Sequence, residues 1–115
     1  MMVLLMNLRD KVYETIEDWT KKLDNPEIAK KFEGFNKIIQ IHLTDIDESM
    51  FLDVRNSSCT LFEGIKDEAD ASLYTTTETI FGIKKGNIDV MEAFISGKLQ
   101  PKGNIKDLII LENLL

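Results

Sequence analysis

Apolar residues near the start of the chain recur at helical spacing. Leu8, Val12, Ile16, Trp19 and Leu23 fall on one stripe with charged residues between them, which predicts an amphipathic helix. Asn7 stands where an N-cap belongs, with Asp10 at the third helical position. "DNPE" then stops one helix and starts another, with Asn25 as cap and Pro26 at the first helical position. Ile28, Phe32 and Phe35 form the second, shorter stripe, and Gly34 weakens its end.

The period then changes to two. Ile39, Ile41 and Leu43 alternate with Gln40, His42 and Thr44; after the turn "DIDES", Met50, Leu52 and Val54 alternate with Phe51, Asp53 and Arg55. "NSS" turns the chain again, "CTLFEG" supplies a third strand and "ADASLYT" a fourth. These strands predict an antiparallel meander with one face toward a core and one more polar. Helices return at Thr75, where Thr75 and Glu78 offer a capping box, and Gly86 ends this helix. Asp89 and Glu92 cap the next, which Gly97 ends. "KLQPK" predicts a short strand at a sheet edge, because Pro101 cannot donate to a ladder. Gly103 turns the chain and Asn104 caps a last helix, with Asp107 in its first turn.

That last helix is unusually apolar: seven of the eleven residues from Ile105 to Leu115 are Ile or Leu. On a helical wheel they cover more than half the circumference, leaving Lys106, Asp107, Glu112 and Asn113 as the polar positions. A helix apolar beyond one stripe needs contact on two sides. It is wedged deep in the core, lines a cavity, or meets a partner. It is not a membrane anchor, since eleven helical residues reach only ~16 Å.

Length and charge narrow the function. A chain of 115 residues predicts one domain, 1–115, able to bury roughly two thirds of its unfolded surface. The formal charge of −6 argues against nucleic acid and against docking on an anionic bilayer. A single cysteine, Cys59, allows no internal disulfide and fits a reducing compartment. The opening "MMVLLM" is too short and lacks the basic flank of a signal peptide, and Met6 is an alternative start. No apolar run approaches the ~20 residues of a membrane span.

Polar chemistry is sparse. His42, the only histidine, reads as a hydrogen-bonded strand residue, and Cys59 as a small buried thiol. A His42–Cys59 pair is geometrically conceivable but has no third, orienting member. Asp45, Asp47 and Ser49 start like a calcium loop, but Met50 and Asn56 stand where Gly and Glu are required. No His/Cys cluster has zinc spacing. "GIKKG" matches neither the P-loop nor the dinucleotide fingerprint. The chain is expected to be no enzyme and to need no metal or cofactor.

The run from Ala69 to Leu115 resembles the C-terminal half of the sterol carrier protein 2 domain, the SCP-2 sterol-transfer family. The matching features are Ala69–Asp70, the Thr75–Glu78 capping segment, Lys85–Gly86, "FISGKL", Gly103–Asn104 and the apolar last helix. The N-terminal half agrees in plan, helices and then strands. The resemblance implies an α+β fold: a five-stranded, mostly antiparallel sheet with helices packed on one face and an apolar tunnel between them. It implies non-enzymatic binding or carrying of a hydrophobic small molecule: a fatty acid, acyl-CoA, phospholipid or sterol-like lipid. By position in the matching block, the tunnel wall is expected at Ile80, Phe81, Ile83, Met91, Phe94, Ile95, Leu108, Ile109 and Leu111. Gly97, Gly103 and Asn104 are expected to be structural. Pro101 and the acidic charge depart from the family pattern, and the chain ends without a peroxisomal signal. Small members of this kind imply a cytoplasmic protein. The alternative is an interaction module or homodimer that uses the last helix or the "MMVLLM" segment.

Overall fold

A computed structural model of the chain describes residues 7–115. The expectations placed on the "MMVLLM" segment lie outside the described residues. Helix α1 spans Leu8–Thr20, a 3-10 turn follows at Lys21–Asp24, and α2 spans Pro26–Lys31. Strands β1 (Lys37–Leu43), β2 (Glu48–Arg55), β3 (Ser58–Glu63) and β4 (Ala71–Thr75) come next. Helices α3 (Thr77–Lys85) and α4 (Val90–Ser96), strand β5 (Gln100–Gly103) and helix α5 (Ile105–Leu111) complete the chain.

The strands form one sheet in the order β3-β2-β1-β4-β5. β1–β2, β2–β3 and β4–β5 are antiparallel, whereas β1–β4 is parallel. The sheet is thus mostly antiparallel, but the four-strand meander is corrected: β4 lies beside β1, not β3. β3 and β4 run in the same direction, so the chain between them must cross the sheet. It does so through residues 64–70, over the face away from the helices. Gln40 explains how this crossing is held. Its Nε2 donates to the carbonyls of Met50 and Gly64, at 2.8 and 2.9 Å, and its Oε1 accepts from the Lys66 amide at 2.8 Å. Alternation alone puts Gln40 on a solvent face; beneath the crossing it is 2% exposed.

The opposite face is the core. Leu61, Leu52, Ile39 and Ala71 are cross-strand neighbours in one row, and Met50, Ile41 and Leu73 form the next. α1 lays Val12, Ile16 and Trp19 onto this face. Tyr13 fixes its position by donating to the Leu61 carbonyl at 2.9 Å, and Arg9 pairs with Glu63 of β3. The expected caps at Asn7, Asn25, Asp89 and Asn104 form, each side chain accepting from a backbone N–H of its helix. The α3 cap is corrected by one residue. Thr76, not Thr75, accepts from the Thr79 amide at 3.2 Å. Thr75 is still part of β4, opposite Leu43, and its hydroxyl donates to the Lys98 carbonyl at 2.9 Å. Helical structure in the last segment ends sooner than its apolar pattern suggests, at Leu111, with turns beyond.

Candidate ligand-binding cavity

Between the sheet and the helices lies a cavity of about 30 Å³. Its floor is Ile39, Ile41, Leu52 and Leu73 from the three central strands, and α1 contributes Ile16, Trp19 and Thr20. Ile80 of α3, Phe94 of α4 and Leu99 close a second side, and Leu108, Leu111, Leu114 and Leu115 close the last. Thr20 is the one polar residue among them, and its hydroxyl is occupied, donating to the Glu17 carbonyl at 2.6 Å. The wall therefore offers a guest dispersion and exclusion of water, with no free hydrogen-bonding group at its centre.

The cavity holds roughly two water-sized molecules. Sites for drug-sized ligands span about 300–1,000 Å³, so the space must widen to take a long acyl chain. The walls best suited to move are α4 and α5. Each has seven residues, and α4 buries only Ala93 fully. α5 and the turn after it are held from outside by lysines. Lys22 Nζ donates to the Leu115 carbonyl at 3.3 Å, Lys31 Nζ to Asn113 Oδ1 at 3.4 Å, and Lys37 Nζ stands 3.9 Å from Asp107 Oδ2.

The structure gathers Ile80, Phe94, Leu108 and Leu111 around this cavity. Of the other residues expected in a tunnel wall, Phe81 lines a shallow hollow between α1 and α3, and Ile83 is half-buried against the core. Met91, Ile95 and Ile109 are 49%, 84% and 55% exposed. A seven-residue helix shows solvent one flank even where its other flank is lined with leucine. Sequence reasoning did not name the α1 and sheet residues. Their signal was present in the stripe Ile16–Trp19 and in the alternation of Ile39, Ile41, Leu52 and Leu73. Periodicity marks such positions as buried, but which of them border a void depends on how the layers meet.

The polar candidates are dispersed. His42 and Tyr74 stack at 4.5 Å on the outer face, and His42 Nδ1 lies 2.9 Å from Ser49 Oγ. Cys59 is opposite Val54 on the core face of an edge strand, so the pair sits on opposite sides of the sheet. Burial, then the charge of Asp53, pushes the Cys59 thiol up to about 12, the reverse of nucleophile activation. Asp45, the first residue of the calcium-like turn, instead accepts from the Thr77 amide and hydroxyl at 3.1 and 2.6 Å. Among the described residues, no helix is long and apolar enough to cross a membrane.

The sequence profile of the SCP-2 sterol transfer family matches residues 16–115. Three solved structures illustrate the likeness. Sterol carrier protein 2 from Yarrowia lipolytica in its apo form is 24% identical, with a TM-score of 0.64 over 90% of this chain and 85% of that one. Sterol carrier protein 2 from Aedes aegypti in complex with palmitate is 20% identical, with a TM-score of 0.59 over 94% of both chains. A stereoselective inverting sec-alkylsulfatase from Pseudomonas sp. is 23% identical, with a TM-score of 0.65; the match covers 76% of this chain but only 14% of the sulfatase. At these identities the structures show a shared fold.

Proposed function

The chain belongs to the SCP-2 sterol transfer family, and from that premise we propose that residues 1–115 act as one non-enzymatic lipid-binding domain. It takes the apolar part of a lipid or acyl chain into the cavity beneath α5. The observation that carries this reading is the cavity wall: fourteen residues, Thr20 alone polar, and its hydroxyl already used. The Aedes aegypti relative with palmitate supports an acyl guest. The walls are Ile80, Phe94, Leu108 and Leu111, together with the α1 and sheet residues across from them. Phe81, Ile83, Met91, Ile95 and Ile109 join only if α3, α4 and α5 shift on loading. The raised Cys59 pKa and the separation of His42 from Cys59 support a carrier over a catalyst. The cytoplasm is the proposed location.

The test is native mass spectrometry of the purified protein, then delipidation and titration with a fluorescent fatty acid. One saturable equivalent per folded monomer, with a change in Trp19 emission, is expected. Absence of saturable binding in a folded monomer overturns the reading. A second reading is a homodimer through α5, favoured by Ile105 and Ile109, one turn apart and each more than half exposed. A concentration-dependent mass that Ile105→Ser abolishes supports it. Saturable lipid binding by a strict monomer counts against it.

A further inference from the structure

Apolar exposure is concentrated on two short helices. Of the seven large apolar residues left exposed among the described residues, four stand on α4 and α5: Met91 with Ile95, and Ile105 with Ile109. Each pair is four residues apart and so shares one helix face. Ile95, 84% exposed, is the barest of the seven. The inner faces of the same helices carry Phe94 and Leu108, which line the cavity. Both helices thus stand between one cavity and solvent, with apolar groups on either side.

Charge separates this region from the rest of the chain. Residues 93–106 run from α4 through β5 into α5 and hold three lysines and no acid, in a chain of net charge −6. Lys98, Lys102 and Lys106 are all exposed, and none is in an ion pair among the described residues. β5 is an edge strand, so Lys102 stands at the rim of the sheet. The acids that flank this stretch in sequence are Asp89 and Glu92, at the start of α4, and Asp107, which is buried. Net charge alone disfavours an anionic partner; the gathering of lysines at this edge reverses the balance locally.

The side chains present select the partner. A second copy docked through the same face would bring its lysines against these lysines. Hot spots of protein interfaces are rich in Trp, Tyr and Arg, and residues 90–111 contain none of them. Aliphatic side chains flanked by lysines suit a lipid interface. There the aliphatic groups enter the acyl boundary while the lysine stems reach back to the phosphates.

We propose that the outer faces of α4 and α5, with the β5 edge that joins them, dock reversibly on an anionic lipid bilayer. The inference rests on the carrier reading and deepens it: the walls that must part for an acyl chain are the ones held against the membrane that supplies it.

The test is co-sedimentation of the full chain with vesicles of phosphatidylcholine alone, or of equimolar phosphatidylcholine and phosphatidylglycerol. Binding to the mixed vesicles is expected to be at least about tenfold tighter and to weaken with salt. Lys98→Gln, Lys102→Gln and Lys106→Gln are each expected to weaken it about fivefold, and Ile95→Ser combined with Ile105→Ser about tenfold. All five positions are exposed, so the variants are expected to keep the wild-type thermal midpoint. Lys84→Gln combined with Lys85→Gln, on α3, is the control and binds as wild type. Equal binding to both kinds of vesicle, folded variants that bind like wild type, or a control that weakens binding as much, overturns the docking surface. So does a wild-type dimer that Ile105→Ser converts to monomer. A fluorescent fatty acid titrated without vesicles keeps the two readings apart. Fatty-acid binding without vesicle binding overturns the docking surface alone. Folded wild-type protein that binds no fatty acid removes the carrier reading on which the docking rests.

Discussion

Gln40 clasps Gly64 across the outer face of the sheet, its Nε2 donating to the Gly64 carbonyl at 2.9 Å. With its bonds to Met50 and Lys66, it fastens the segment that carries the chain from β3 to β4. Gln40→Leu keeps the volume and removes all three bonds. It is expected to cost about 2–3 kcal/mol, read from urea denaturation, with faster amide exchange at residues 64–70. An unchanged midpoint would show that the crossing holds without this clasp.

Leu108 and Ile109 are neighbours in sequence with opposite surroundings. Leu108 is buried against the cavity and Ile109 faces solvent. Leu108→Ala is expected to lower stability by about 2–4 kcal/mol and to enlarge the cavity, so that an apolar probe binds at least as well as before. Ile109→Ser is expected to stay within about 0.5 kcal/mol and leave probe affinity alone. Probe binding that drops with Ile109→Ser and ignores Leu108→Ala would place the ligand on the outer side of α5.

Gly103 joins β5 to α5 with φ +97, a region that favours glycine. A Cβ there would stand 3.2 Å from Ala71 Cα and from the Asp70 carbonyl, both backbone atoms. Gly103→Ala is expected to cost about 1–3 kcal/mol. Loosening of α5 in amide exchange should accompany the loss; a thermal midpoint equal to wild type would contradict it.

Cys59 has a pH signature. Its thiol is raised from 9.0 to about 12, chiefly by burial. The unfolded chain therefore ionises first. The contribution is intact below about pH 9 and is lost as pH climbs toward 12. Burial raises the Tyr13 phenol in the same direction, so wild type must be compared with Cys59→Ala, which retains Tyr13. Between about pH 7 and about pH 10.5, wild type should lose more stability than the variant. Parallel losses in both proteins would remove Cys59 as a cause.

The sequence by itself determined the elements and four of the helix caps, and placed the α3 cap one residue early. Asn7, Asn25, Asp89 and Asn104 act on backbone a few residues away, so their roles are legible locally. The period of two at Ile39–Leu43 and Met50–Val54 marked the core face, and Pro101 marked an edge strand. With the motif block from Ala69 onward, this was enough to identify the family and its fold. Tertiary structure decided the rest. β4 beside β1 depends on a crossing whose anchor, Gln40, looks like any outward-facing residue of an alternating strand. The split of the last helix into buried Leu108 and Leu111 and exposed Ile105 and Ile109 depends on its angle against β4 and β5. The ion pair of Asp107 arises only where α5 comes down beside Lys37, seventy positions earlier in the chain. Local chemistry can be read along a sequence, but a cavity is the space several distant segments leave between them, and no one segment encodes it.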